Sequence, residues 1–452
     1  MKYFNRKIID IIFFLILLIT GGMPAQEVNL FGEMTDQFEI SKTEKLRDTM
    51  YISLSQALEE ALANNYLLKK AGERTKAGYA AFDQTKGAML PKVDANFSYA
   101  YLDIVPGFRS LLLGNIQHDL FPNIAVSQPI YAGGKLKYSK EAAKAQVESL
   151  EQAFLAQLLD VKLSVYVNYF QLQSLISQRE ILKDNLEQLR VQHQLSRLLV
   201  NAGRMSQLEV ERIDVAIITT RGNLLRIEND YQTVSNNISL LLGREAPQTM
   251  MPADSLQIMP FNENYDDMIA ITLDNNPTWQ QLEWDLRKAE QLVKVQEAAR
   301  LPQVSASAYY GYEFGLESFS LDDNKRYYAG LTASVPIYHG KVIQNKISEA
   351  QSGVEQIRWQ QEYLRKSFST LLQNKYATLK EREQQIMIRK RAFDQAQKSY
   401  RLALIEYNAG KRSNTDLLDI QKAMLESRLM MDQAILDYNN AGAWLRAIMG
   451  IL

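Results

Sequence analysis

The side chains with chemistry to offer gather at two points of this 452-residue chain that read alike. Ser206-x-x-Glu209 and Ser413-x-x-Asp416 each set a hydroxyl three residues ahead of a carboxylate. That is the spacing of a capping box, in which both groups satisfy the free amides that open a helix. Asp419 stands one turn beyond Asp416 on the same helical face, and no cap requires it. Nothing in the pattern suits covalent or acid–base catalysis. His118, His193 and His339 lie far apart with no ligand spacing such as His-Glu-x-x-His. Gly133-Gly134-Lys135 lacks the upstream glycine of a phosphate loop, and its counterpart His339-Gly340-Lys341 marks both as turns. With no cysteine, disulfides, thiolate metal sites and a lipoprotein anchor are excluded. The expectation is a protein that is not an enzyme, with no catalytic, metal or cofactor-binding residues and no cofactor.

Long elements must carry these residues. The chain has only 11 Pro and 21 Gly, well below average usage, which favours uninterrupted helices. Its 51 Lys and Arg nearly cancel 52 Asp and Glu, so no global field draws it to nucleic acid, and no nucleic-acid partner is expected. Lys2, Arg6 and Lys7, the apolar run Ile11–Ile19 and small residues through Ala25 read as an export signal over residues 1–25.

Laid on itself, the chain repeats. Asn64-Asn65 and Leu90-Pro91 recur as Asn275-Asn276 and Leu301-Pro302 at an offset of 211. Pro129-Ile130-Tyr131, Ala202-Gly203 and Gly243 recur as Pro336-Ile337-Tyr338, Ala409-Gly410 and Gly450 at an offset of 207. The organisation expected is a signal (1–25), a mid-rod segment of irregular structure (26–53), a first repeat (54–243), an irregular mid-rod linker (244–266) and a second repeat (267–450). Each repeat reads as a helix of about 35 residues, two strands, a very long helix broken at Gly203 or Gly410, and a closing helix. Heptad seams at Leu379, Ile386, Phe393, Tyr400 and Tyr407, at Ala350, Ile357, Leu364 and Leu371, and at Leu175, Leu182 and Leu189 predict coiled-coil rods. A helix of about 66 residues spans roughly 100 Å at 1.5 Å per residue, and the two shorter helices of a repeat, stacked end to end, match it.

Between the helices, Val93–Tyr101 and Val304–Tyr312 alternate apolar and polar residues, as do the returning strands around Ile124–Ser127 and Leu331–Ile337. Each strand has the length that crosses a bilayer when tilted, and tyrosines crowd them as in interfacial girdles. Four strands cannot close a barrel, so closure is shared by two, three or four chains. Pro129 and Pro336 lie near strand ends, Pro91 and Pro302 close the preceding helices, and Gly133, Gly134 and Gly340 permit the swing from strand into rod.

The duplicated Asn-Asn and Leu-Pro junctions, the phrase Gln128–Gly134 and the phrase Tyr407–Asp419 together make the chain resemble the TolC-like outer membrane factor (outer membrane efflux protein) family from about Leu54 to Gly450. The resemblance implies an α+β, mostly α fold. Long antiparallel coiled-coil helices form a periplasmic tunnel, and four strands per chain contribute to a transmembrane β-barrel shared by a homotrimer in outer-membrane lipid. It further implies a periplasmic adaptor, or membrane fusion protein, and an inner-membrane transporter of the RND or else the ABC type. By the same resemblance Asp416 and Asp419 match acidic rings at the tunnel entrance. Tyr407, Arg412 and Glu209 match links that hold neighbouring hairpins shut, and Gly203, Ser206, Gly410 and Ser413 match adaptor contacts. Arg212, the repeat counterpart of Asp419, sets a basic side chain near this periplasmic gate. The function so implied is the exit duct of a tripartite efflux system. A type I protein secretion duct is the nearest alternative, and an exported coiled-coil scaffold without a pore is the alternative from another class.

Overall fold

The chain bends where an asparagine can serve two helix ends at once. The computed structural model describes residues 50–101, 118–315 and 325–452. The signal expected over 1–25, most of the segment 26–53 and the connections within the two strand pairs lie outside the described residues. Among the described residues the helices are α1 Leu54–Asn64, α2 Tyr66–Gly87, α3 Lys135–Asn201, α4 Gln207–Leu241, α5 Met268–Asn275, α6 Pro277–Ala298, α7 Val342–Asn408 and α8 Asn414–Met449. The strands are β1 Met50–Ile52, β2 Lys92–Tyr101, β3 His118–Ala132, β4 Met250–Pro252, β5 Gln303–Tyr312, β6 Phe314–Gly315 and β7 Lys325–Ser334.

The first helix of each repeat, expected as one element, is two. Asn65 Oδ1 accepts from the Leu67 and Leu68 amides at 2.8 and 3.3 Å, capping α2, while its Nδ2 donates to the Leu241 carbonyl at 2.8 Å where α4 ends. Asn276 repeats this with the Thr278 and Trp279 amides and the Ile448 carbonyl, at 2.9, 3.2 and 2.8 Å. Orphan groups on two helix termini are satisfied by one side chain, which outweighs continuing the helix. Gly243 and Gly450 follow α4 and α8 at φ +69° and +77°, and a Cβ there would lie 2.4 and 2.5 Å from the Asn64 and Asn275 carbonyl oxygens. Only glycine fits so close a backbone approach.

The two 67-residue helices α3 and α7 are the rods. Beside α3, α2 runs antiparallel, with Thr75 Oγ1 donating to the Leu150 carbonyl, and α4 runs antiparallel, with Asn185 Nδ2 donating to Thr220 Oγ1. The stacking of two short helices on one long one is therefore realised. Leu175, Leu182 and Leu189 are buried as expected. On α7 the buried positions are Ile347, Val354 and Phe368, then Leu372, Leu379 and Ile386, and near the tip Ala403. The earlier seam expected through Ala350, Ile357, Leu364 and Leu371 is thus displaced, and Leu371 is exposed. Seven-residue spacing recurs on several faces of one helix, and the packing partner selects the face.

The mid-rod segments are not wholly irregular: β1 and β4 pair in parallel, Met50 with Met250 through Ile52 with Pro252. Three-residue strands carry no readable period, so the sequence could not announce them. Tyr169 and Tyr231 donate their hydroxyls to the Ile52 and Met250 carbonyls, and Leu172, Ile227, Ile238 and Leu242 complete the largest apolar cluster around them.

The larger sheet has the antiparallel order β2-β3-β5-β7, with β6 also on β3. Its outer strands are β2 and β7. Tyr309 stacks on Tyr328 and meets Phe121 edge-on, both at 5.7 Å between centroids. The returning strands differ from expectation in length. β3 runs through Pro129 past a bulge before Tyr131, whereas β7 ends at Ser334, short of Ile337. Pro336 has no N–H to offer a ladder. Most side chains of β2 and β7 are exposed, including Phe97, Tyr327 and Leu331.

Candidate functional site at the hairpin tips

The sequence turns at the ends of the rods through the same device twice. Gly203 and Gly410 adopt φ +67° and +69°. Their amides donate to the Val200 and Tyr407 carbonyls, and the next amides, of Arg204 and Lys411, donate to the Leu199 and Glu406 carbonyls at 2.8 Å. This closure satisfies the last carbonyls of α3 and α7. Ser206 and Ser413 then open α4 and α8, accepting from the Leu208 and Asp416 amides. Gly203, Ser206, Gly410 and Ser413 are all exposed at the extremity.

Glu209 is not occupied by capping. Its carboxylate reaches the other hairpin and accepts from Asn414 Nδ2 and Thr415 Oγ1, each at 3.2 Å to Oε2. Asn414 is buried, accepts from Gln192 Nε2 at 2.6 Å and also donates to the Glu209 carbonyl. Arg212 donates to the Thr415 hydroxyl. One polar cluster thus joins α3, α4 and the start of α8. Asp416 and Asp419 are exposed, and among the described residues neither carboxylate has a side-chain partner. Arg412 lies within its own hairpin, its Nε and Nη2 at 2.7 and 2.6 Å from Glu406 Oε2. The Tyr407 hydroxyl is buried without a hydrogen-bond partner among the described residues. His193 pairs with Asp214 at 3.2 Å on the α3–α4 hairpin.

Asn414 and Thr415 lie in the tip phrase but are not among the site residues expected from the sequence, and Gln192 escaped sequence reading, as did the next layer up. There Gln421 Nε2 donates to Asn185 Oδ1 at 3.1 Å, and Asn185 donates to Thr220, all three buried. Higher still, Ser177 donates to the buried Asp432, whose carboxyl is held above its usual range by burial, against the opposing pull of Ser177 and Arg428. A signal existed. Asn185 and Gln192 are seven residues apart, as are Asn414 and Gln421, which sets polar side chains at core positions of a heptad, where they fix register.

At the opposite end, Pro91 and Pro302 follow the helices that lead into β2 and β5, and Pro129 and Pro336 lie beside the turns into α3 and α7. Gly133 and Gly134 take φ +61° and +86°, and a Cβ on Gly133 would sit 2.6 Å from Leu301 Cβ and 2.7 Å from the Ala298 carbonyl oxygen. Gly340 takes φ +55° with nothing within 4 Å of a Cβ, and Lys341, at Gly134's repeat position, also adopts a positive φ of 64°. His118 begins a strand and His339 precedes a helix. Among the described residues no His, Asp or Glu group is arranged to hold a metal, and no helix is long and apolar enough to cross a membrane.

The family model for outer membrane efflux proteins matches residues 57–244 and 268–451. Nodulation protein T of Rhizobium leguminosarum bv. trifolii is 23% identical over 328 residues, covering 70% of this chain and 68% of that protein. Cation efflux system protein CusC of Escherichia coli K12 is 22% identical over 403 residues, covering 85% and 82%. The CmeC outer membrane channel of Campylobacter jejuni superposes with a TM-score of 0.76 at 18% identity, over 88% of this chain and 85% of that one. The open state of the Neisseria gonorrhoeae MtrE outer membrane channel does so with 0.75 at 15%, over 88% and 89%. At these identities the likeness to solved structures establishes the fold.

Proposed function

The chain belongs to the outer membrane efflux protein family, an outer-membrane protein and not an enzyme, and from that premise we propose that three copies form the passive exit duct of a tripartite efflux system. The carrying observation is the sheet, whose long strands end in two outer members, β2 and β7, with exposed apolar side chains such as Phe97, Tyr327 and Leu331. Sheet edges are not tolerated in lipid, so neighbouring copies must supply the next strands, and three copies give twelve. The helices below continue the cylinder into the periplasm. A periplasmic adaptor would meet it at Gly203, Ser206, Gly410 and Ser413, with an inner-membrane transporter beyond, the RND type fitting best.

In this reading the tip is the gate. Glu209, Asn414, Thr415 and Arg212 latch the two hairpins of one chain. Arg412 is paired with Glu406 and the Tyr407 hydroxyl is buried within one chain, so a link to a neighbour would require both to be released, while Asp416 and Asp419 offer free carboxylates at the mouth. Small molecules are the cargo favoured, and the name of the relative CusC extends this to cations. Sedimentation in micelles should give a trimer, and planar bilayers should record small, stable conductance that Arg412→Ala and Tyr407→Phe raise. Unchanged leak in both variants removes the lock, and a stable single copy without current removes the duct and leaves the pore-less scaffold.

A further inference from the structure

Successive side chains of a strand point to opposite faces, and the register of β2, β3, β5 and β7 sorts theirs into one apolar and one polar face. Phe97, Ile124, Tyr310, Tyr327 and Leu331 share the first. Asn96, Asn123, Ser307 and Thr332 share the second, where Asn96 Nδ2 donates to Asn123 Oδ1 at 3.2 Å. In a shared barrel the apolar face meets lipid, so the polar face lines the conduit. Interfacial girdles account for the tyrosines on the lipid face. They do not account for Phe121, Tyr309 and Tyr328, which stand on the polar one.

These three rings form one cluster. Tyr309 and Tyr328 are directly opposed on β5 and β7, stacked with 24° between their planes, and Phe121 meets Tyr309 edge-on at 85°. Gly330, two residues beyond Tyr328 on the same face, sets the pose. A Cβ there would lie 2.5 Å from Tyr328 Cζ, so the ring reclines over the glycine instead of standing away from the sheet. Covering a strand glycine is a structural use of an aromatic ring, but it leaves Tyr309 36% and Tyr328 45% exposed. Nearby charge is closed into an ion pair, with Arg326 Nε 3.0 Å from Glu313 Oε2. Tyr309 lies six residues along β5 from Gln303, roughly 20 Å from the rod junction at about 3.3 Å per residue. Identical copies related by symmetry bring their clusters to the same level of the conduit.

We propose that Tyr309 and Tyr328, edged by Phe121, form a stacking shelf on the conduit wall for flat aromatic solutes in transit, a reading that rests on the proposed function. Half-exposed rings in a polar channel gain by covering apolar area and by offset stacking with a further ring. Every flat π-system can use such a platform, so the shelf selects for planarity and not for a hydrogen-bond pattern. The negative face of a tyrosine ring also attracts cations, which makes a flat organic cation the cargo that fits best. Contact with two rings is weak enough to let the solute leave, as passage requires.

The test uses the full-length protein in micelles and in planar bilayers, with ethidium as a flat aromatic cation and tetraethylammonium as a cation of equal charge without a ring. Ethidium should gain fluorescence anisotropy over empty micelles and should interrupt the current, while tetraethylammonium leaves the current uninterrupted. Tyr309→Leu/Tyr328→Leu keeps the site apolar but removes the rings, and should weaken ethidium binding and block by about tenfold, the scale of one lost stacking contact. Tyr309→Phe/Tyr328→Phe should retain both, and Tyr310→Ala on the lipid face should change neither, with all variants sedimenting as wild type does. Equal block by the two cations, undiminished ethidium binding by the Leu variant, or an equal loss in Tyr310→Ala overturns the proposal. The wild-type comparison of the two cations decides the matter even where the Leu variant does not assemble. Wild-type protein that binds ethidium through these rings but carries no current sinks the duct and leaves the shelf standing. A conducting trimer indifferent to ethidium does the reverse.

Discussion

The two repeats agree where the chain must bend and diverge where each meets something else. Both spend one asparagine on two helix ends, Asn65 and Asn276, and both seat a glycine on the preceding asparagine's carbonyl. Their rods differ. α3 is flanked within the chain by α2, α4, α6 and α8 and buries Tyr169, Leu172, Leu175 and Leu182, whereas α7 leaves Trp359, Tyr363, Leu402 and Ile405 exposed. At the strand-to-rod turn Gly133 is wedged against Leu301, while Gly340 faces open space. A duplicated sequence therefore keeps the backbone devices that every copy needs and relaxes the surfaces that a second copy of the chain would cover.

The comparison can be broken most forcefully at the shared joint. Gly243→Val and Gly450→Val should each cost about 4 kcal/mol or more, since both the left-handed backbone and the carbonyl 2.4 or 2.5 Å away oppose a side chain. Denaturation of the solubilised protein should show the two losses matching. A loss confined to one repeat would mean that the joints are not equivalent.

The strand-to-rod turns should instead separate the halves. Gly133→Ala meets Leu301 and the Ala298 carbonyl and should cost about 2–3 kcal/mol, against about 1 kcal/mol for Gly340→Ala, where only the positive φ resists. Equal losses in the assembled protein would sharpen the contrast differently. They would show that a neighbouring copy fills the space beside Gly340 as Leu301 fills that beside Gly133.

The smallest effect belongs to Asp432 on α8. Burial raises its folded pKa above the unfolded value, so its stabilising contribution is full below the unfolded pKa and is lost as pH rises through the raised folded value. Asp432→Asn should therefore stabilise the protein slightly at neutral pH, by about 1 kcal/mol or less, and flatten that part of its pH profile. Thermal melts across acidic to neutral pH would detect it, and a destabilised Asn variant would show instead that the Arg428 and Ser177 interactions outweigh burial.

The sequence by itself determined the repeat, the long helices, the alternating strands and the glycine turns. Each of these is a local rule, a period or a backbone requirement, and so is written in adjacent residues. Tertiary structure alone decided that Asn65 and Asn276 break helices rather than continue them, because the carbonyls they satisfy, Leu241 and Ile448, are more than 170 residues away. It decided that Glu209 crosses to Asn414 and Thr415 instead of closing a capping box, and that the buried face of α7 passes through Val354 and Leu372 rather than Ala350 and Leu371. A side chain able to bond locally or at a distance, and a heptad that recurs on more than one face, are chosen only when a packing partner removes water from one of the alternatives.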